Sequence, residues 1–250
     1  MGSVKITSVE QLDWLISMGG GVIDPDIASP EAQEALDWYA RGTIAMQQGN
    51  VQEAIAVFQT TVSRWPRFVA PRVNLAHCLN AIGRPVDALK ELDIAHDLAP
   101  HDPDIHMSKA STYNNHGRFQ DALAELFLAQ EDYGHPHNME VTYWIGVTYQ
   151  QLGQMAESRK WLQQALESVD VQERLSPFEQ KFPEERYRAH IAMAEVCDAL
   201  GDWPAVAANL RVCVSMNPKN KDMKRILKER ERMASAQDGS KAGFLKRIFG

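Results

Sequence analysis

Three glycines, Gly49, Gly83 and Gly117, stand 34 residues apart. Each closes one stretch of helical apolar spacing and opens the next. A fixed period of this length restricts the chain to an array of helix pairs, in which each pair buries its apolar face only against its neighbours. Glycine at the end of a helix takes a left-handed backbone conformation that residues with a Cβ resist. The series continues with Gly153, 36 residues after Gly117, and with Gly201, 48 residues after Gly153. The last interval leaves about 14 residues over, among them Ser176, Pro177, Phe178, Phe182 and Pro183.

Alignment on these glycines gives five copies. The first has Leu36, Trp38, Tyr39, Gly42, Ala45, Gly49, Ala54, Phe58 and Pro66, and the second has Leu75, Ala76, Leu79, Gly83, Ala88, Leu92, Ala95 and Pro100. Ala110, Tyr113, Gly117, Ala122, Leu126 and Ala129 mark the third; Ile145, Gly146, Tyr149, Gly153, Leu162 and Ala165 mark the fourth. The fifth has Met193, Ala194, Cys197, Gly201, Leu210, Cys213 and Pro218. The pattern resembles the tetratricopeptide repeat, W-x2-L-G-x2-Y, then A-x3-F, then P. The resemblance covers residues 35–220 and implies an all-α fold, a right-handed superhelical solenoid of helix-turn-helix repeats.

The physical logic of the pattern is legible. Gly42, Ala76, Ala110, Gly146 and Ala194 are small enough to let two helices approach closely, and Phe58, Leu92, Leu126, Leu162 and Leu210 fill the remaining space. Ser29-Pro30-Glu31 and Asp102-Pro103 place a cap before a proline at the first helical position. Asn50 and Glu53 have capping-box spacing. Arg41 and Lys109 occupy positions that usually hold Leu, and Ser158 stands where Ala is usual, which predicts local irregularity.

The expected organisation is an N-terminal helix and glycine hinge at 1–34, five repeats over 35–220 with an insertion at about 173–186, a capping helix at 221–236, and a basic amphipathic tail at 237–250. Residues 8–18 read as a short amphipathic helix with Val9, Leu12, Leu15 and Ile16 on one face, which predicts docking on a solenoid surface of the same chain or of a second copy. Gly19, Gly20 and Gly21 then break it; no Lys-Ser or Lys-Thr follows, so they read as a hinge and not as a phosphate cradle. Met223, Ile226 and Leu227 form the apolar stripe of the cap, and residues 228–232 its solvated face.

Charge is unevenly spread. Residues 219–250 carry ten Lys and Arg against four Asp and Glu, a balance of +6 in a chain of net charge −7. An acidic solenoid with a basic tail argues against nucleic acid as the main partner. The final residues, Phe244, Leu245, Lys246, Arg247, Ile248 and Phe249, resemble the membrane-targeting tail of the bacterial division ATPase MinD. On a helix the four apolar residues share one face and the two basic residues flank it, the layout of a helix lying in an anionic membrane interface. Burying those four side chains gains at most ~6–12 kcal/mol. Ordering the segment costs a comparable amount, so a single tail predicts weak, reversible binding that needs several copies. The alternative is a tail that folds onto the solenoid or fills a partner's pocket.

The concave face, lined by the first helix of each pair, is where such repeats bind ligands. Counting along the repeat places Tyr39, Thr43, Met46, Asn74, His77, Asn80, Met107, Ser111, Asn114, Tyr143, Val147 and Gln150 there. The set is neutral, amide-rich and partly aromatic, suited to pairing with the backbone of an extended protein or peptide segment whatever its sequence. It lacks the Lys and Asn arrangement with which some family members clamp a C-terminal carboxylate.

Catalytic signals are missing: there is no Gly-x-Ser-x-Gly, phosphate loop or His-Glu-x-x-His. His101, Asp104 and His106, and His135 with His137, have the look of metal ligands but lie at turns between repeats, where Asp-Pro caps the next helix; neither metal nor cofactor is expected. Cys78, Cys197 and Cys213 form no disulfide framework and read as reduced, buried thiols of a cytoplasmic protein. Glu10 and Asp13 interrupt any N-terminal apolar stretch, so no secretory leader is expected, and no apolar run approaches a membrane span.

Two functional classes follow. One is a non-enzymatic scaffold or adaptor, cytoplasmic or peripheral at the inner face of the cell membrane. The other is a secretion or assembly chaperone. For the latter, Leu126, Phe127, Leu128, Ala129, Gln130 and Glu131 resemble the tetratricopeptide chaperones of type III secretion, although those usually have three repeats where five are read here.

Overall fold

A computed structural model describes residues 30–134, 138–175 and 183–249, with side chains described except at 172–175 and 238–249. The described residues form eleven helices and no strand: α1 (Pro30–Gln47), α2 (Val51–Arg64), α3 (Val69–Ala81), α4 (Pro85–Leu98), α5 (Pro103–Asn115), α6 (Phe119–Asp132), α7 (Met139–Gln151), α8 (Met155–Leu175), α9 (Pro183–Ala199), α10 (Trp203–Met216) and α11 (Lys221–Phe249). They fall into two compact units divided after Asp132. The first holds the pairs α1–α2, α3–α4 and α5–α6; α3 also packs on α2 and α1, and α5 on α4 and α3. The second holds α7–α8 and α9–α10, with α9 also on α8 and α7, and α11 laid against α10.

The turn glycines have backbone φ between +70° and +77°. At Gly83 the chain closes with Gly83 N–H bonded to Asn80 O and Arg84 N–H to Leu79 O at 2.9 Å, which satisfies the last carbonyls of α3. A Cβ added at Gly49 or Gly83 would meet nothing within 4 Å, so the requirement there is backbone conformation alone. Gly42 and Gly146 are needed for the opposite reason. A Cβ on Gly42 would lie 2.7 Å from Cδ1 of Phe58, and one on Gly146 would lie 2.8 Å from Cγ of Leu162. Phe58, Leu92, Leu126, Leu162 and Leu210 are all buried.

The aromatic position of the repeat, Trp38 in the first copy, is polar in the other four; Thr142 donates to Asn138 O beside it, and the remaining three replacements make the same strut. Arg72 Nη1 donates to Glu91 Oε2 at 2.7 Å, His106 Nδ1 lies 2.7 Å from Glu125 Oε2, and His190 Nδ1 lies 2.8 Å from Asn209 Oδ1. In every case the partner is 19 residues on, on the second helix of the pair. Arg72 also donates through Nε and Nη2 to Pro66 O, tying the preceding loop to the same point. The departures noted in the sequence are likewise compensated. Lys109 is buried and its Nζ reaches Asp93 Oδ1 at 2.7 Å. Buried Ser158 donates from Oγ to Gly146 O at 2.7 Å. Exposed Arg41 lies over the Trp38 ring at 4.8 Å.

Two local expectations need correction. Asn50 makes no side-chain cap bond: at φ −80°, ψ 61° its backbone is not extended, and its amide donates to Gln48 Oε1 at 3.5 Å. The run 228–232 is not wholly a solvated face, because Arg230 Nε pairs with Asp198 Oδ1 at 2.8 Å and Glu231 with Arg211 Nε at 2.9 Å. Asp102 does cap α5, accepting from Asp104 N–H at 3.0 Å. Asn138 and Asp202 cap α7 and α10 in the same way. Met223 and Leu227 pack against the core of α9 and α10, while Ile226 is 39% exposed. Helix α11 runs unbroken through the position at which a separate tail was expected to begin. Ser29, residues 8–18, the hinge glycines 19–21 and residues 176–182 of the insertion lie outside the described residues.

Candidate functional site

Ordinary helix spacing turns one stripe of α1, α3 and α5 away from the core, and the first unit's candidate residues line it. Tyr39, Thr43, Met46, Asn74, Asn80, Met107 and Asn114 are partly exposed there, and His77 and Ser111 more so. Tyr39 is anchored from behind: its ring packs 5.7 Å from that of Phe68 and 6.3 Å from that of Phe58. Its hydroxyl accepts from Asn74 Nδ2 at 3.3 Å, which joins α1 to α3 across the stripe. Thr43 spends its hydroxyl on Tyr39 O at 3.0 Å within its own helix. Met46 packs on the core.

The bonds between helices decide what the polar groups offer to a ligand. Ser108 Oγ donates to Asp104 O at 2.8 Å, so its proton is committed. His77 Nε2, 3.0 Å from the same oxygen, must therefore donate to it. That fixes the Nε2–H tautomer and leaves Nδ1 of His77 as an acceptor. Although more than a third of His77 reaches solvent, loss of water from its ring holds its pKa below the usual imidazole value, so it is neutral at pH 7. Asn80 Oδ1 lies 3.0 Å from His116 Nε2, so Asn80 turns its amide N–H groups outward. Neighbouring positions of one stripe thus present an acceptor at His77 and donors at Asn80, the two partners that an extended backbone requires. Ser108 and His116 were not in the sequence-derived set. Their signal is a register one: both lie 31 to 36 residues from the groups they orient.

The second unit differs. Tyr143 and Val147 are partly buried against the core of α9 and α10. Arg188 stands 5.5 Å from the centre of the Tyr143 ring, and burial pushes the phenol of Tyr143 above its ordinary pKa. Gln150 Nε2 donates to Glu195 Oε2 at 3.1 Å. Glu195 and Asp198 occupy the positions in α9 that Val147 and Gln150 occupy in α7. Extending the repeat count by one copy would have found them. Asp198 is held by Arg230 of α11, whereas Glu195 is exposed. The candidate stripe of the first unit is neutral, and within the second unit the fifth repeat contributes acidic side chains.

His101 stands in the turn before α5, whereas His106 lies within α5 and not at a turn, and both meet carboxylates. His106 lies between Glu125 and Asp132, with Nε2 at 3.4 Å from Asp132 Oδ2, and His101 Nδ1 is 3.2 Å from Asp132 Oδ1. Among the described residues no group of three His, Cys, Asp or Glu is arranged to hold a metal ion. His135 and His137 lie outside the described residues. Cys78, Cys197 and Cys213 are buried and unpaired with one another, and burial pushes the Cys213 thiol up to about 11. The side chains of Phe244, Leu245, Lys246, Arg247, Ile248 and Phe249 lie outside those described. No helix among the described residues is long and apolar enough to cross a membrane.

Comparison with known proteins bears on the fold. Residues 45–111 and 107–179 match two family profiles, each described as tetratricopeptide repeat. The TPR repeat-containing thioredoxin TTL4 of Arabidopsis thaliana is 30% identical over 115 residues, 46% of this chain and 17% of that protein, so the match spans under a fifth of its length. Among solved structures, the thermophilic TPR protein TTC0263 of Thermus thermophilus superposes with a TM-score of 0.59 at 19% identity, covering 78% of this chain and 98% of that one. PilF of Pseudomonas aeruginosa gives 0.62 at 16% identity, with 87% and 93% covered. MamA of Desulfovibrio magneticus RS-1 gives 0.58 at 14%, with 75% and 97% covered. At these identities the likeness concerns the fold alone.

Proposed function

This chain belongs to the tetratricopeptide-repeat family, whose repeats generally mediate protein–protein interaction, and we propose that it is a non-enzymatic adaptor. It holds an extended, sequence-tolerant protein segment on the stripe of α1, α3 and α5, and its C-terminal tail places the complex on an anionic membrane surface at the inner face of the cell membrane. The observation that carries the groove reading is the orientation of His77 and Asn80 by Ser108 and His116, which leaves an acceptor beside donors on a neutral face. Tyr39, Met46 and Met107 add partly exposed apolar contact beside them. In the second unit, taken by itself, exposed Glu195 beside Gln150 suits a basic or hydrogen-bond-donating group of a ligand. The tail reading is supported by the amphipathic order of residues 244–249 and by the helical backbone that leads into them from α11.

The test has two arms. Asn80→Ala combined with Asn114→Ala removes groove amides without opening the core, so partner capture should weaken about tenfold or more, the loss of one to two net hydrogen bonds, while helical circular dichroism is unchanged. Unchanged capture would remove the groove from the account. In the second arm, the purified chain is floated with vesicles of phosphatidylglycerol and phosphatidylcholine. Binding should be weak, fall with salt and disappear in Phe244→Glu. Undiminished binding by that variant would leave the tail as a partner-docked or unengaged terminus.

A further inference from the structure

The repeat allows each first helix to be compared with the others position by position. Ile44 in α1 has as counterparts Cys78, Thr112, Thr148 and Val196, and all four are buried. Ile44 is 52% exposed. Arg41 is exposed too, although its counterparts Leu75 and Ile145 are buried. The reason is positional: α3, α5 and α9 each lie against an earlier pair, and no described helix precedes α1. Ala40 and Ile44, four residues apart, therefore form a short apolar ridge on the outer side of α1, with Arg41 and Asp37 on its flank.

We propose that residues 8–18 of this same chain cover that ridge, as an N-terminal cap on the first repeat. The segment lies outside the described residues; its sequence supplies the match. Val9, Leu12 and Ile16 recur at helical spacing, an apolar stripe long enough to span the Ala40–Ile44 step, and Asp13 flanks that stripe with a negative charge that Arg41 can meet. The connection is residues 19–29, which reach about 35–40 Å when extended. Helix α1, with 18 residues, is about 27 Å long, so the segment can reach any point along it. Three glycines at the start of the connection allow the chain to reverse direction. A tether this short sets a millimolar effective concentration, which favours the chain's own segment over that of a second copy. Within the second unit α11 lies against α10, whereas α1 leaves exposed a position that the later first helices bury.

Hydrogen–deuterium exchange of the full chain tests the proposal. Amides of residues 8–18 should exchange at least about tenfold more slowly than in a free peptide of the same sequence. Ile44→Ser and Leu12→Ser should each abolish that protection, and each should speed exchange in α1 as well. Because Ile44 is half exposed, Ile44→Ser keeps the helical circular dichroism of the parent, and that spectrum is the check on folding. Free-peptide exchange rates in the unmodified chain, or protection of 8–18 that survives Ile44→Ser, would overturn the proposal. So would protection lost on tenfold dilution together with a halved mass in light scattering, because the occupant would then be a second copy.

Discussion

Gly42→Ala should destabilise the first repeat through a single identified contact. The added Cβ would lie 2.7 Å from Cδ1 and 2.8 Å from Cζ of Phe58, against an ordinary contact range of 3.4–4 Å. The ring must retreat by roughly 1 Å, but it is fully buried and has the Tyr39 ring beside it at 6.3 Å, so little slack exists. Overpacking of this kind costs about 1–3 kcal/mol, and alanine in a helix interior returns about 0.5–1 kcal/mol relative to glycine. The expected net loss is therefore about 0.5–2 kcal/mol. In a Phe58→Leu background the ring edge is gone, and the same substitution should be neutral or stabilising by up to about 1 kcal/mol. A double-mutant cycle by urea denaturation, followed by circular dichroism, should give a coupling of about 1–3 kcal/mol. Gly49→Ala is the control: its φ of +77° opposes a side chain but nothing lies near. It should cost about 1–2 kcal/mol in both backgrounds alike. Additive effects of Gly42→Ala and Phe58→Leu would refute the packing argument.

Arg72→Leu should cost about 1–3 kcal/mol by leaving Glu91 partly buried without its guanidinium, and Arg72→Leu with Glu91→Leu should recover most of it; equal loss in single and double variants by urea denaturation would count against the strut. Cys213 makes a prediction about pH. Its thiol keeps its proton to about 11 in the fold, against 9.0 for an unperturbed thiol, so the fold favours the neutral form. Its contribution is complete below pH 9 and is lost as pH rises through 11. Stability should therefore fall between those limits by about 2–3 kcal/mol more in the parent than in Cys213→Ala. Denaturation at about pH 8 and about pH 10.5 checks this, and equal slopes for the two proteins would contradict it.

The helix pairs were legible because their signals are backbone signals: Gly49, Gly83, Gly117, Gly153 and Gly201 each need positive φ, and no other residue type supplies it cheaply. The struts were not. Arg72, His106 and His190 stand at an aromatic position, and a polar residue there reads as a departure until its partner 19 residues on is seen to face it. Lys109 and Ser158 read as irregularities in the repeat, and only the fold shows that Asp93 and the Gly146 carbonyl complete them. In the groove, repeat counting reached the residues that present polar atoms and missed Ser108 and His116, which aim them, because orientation depends on bonds between helices. Glu195 lies one repeat beyond Gln150, past the insertion that breaks the 34-residue period. The continuity of α11 was hidden by Asp238, Gly239 and Ser240, weak helix formers that nonetheless remain helical.

The central claim is that the α1–α3–α5 stripe holds the partner. Site-specific photo-crosslinking tests it most directly, with a photoreactive phenylalanine placed at Ser111 in the stripe or at Val86, which is 65% exposed on α4, the second helix of its pair. Illumination in cells should give a discrete partner adduct from position 111, lost when Asn80→Ala and Asn114→Ala are added, and none from position 86. Adducts from position 86 alone, or from 111 regardless of the two asparagines, would contradict the account.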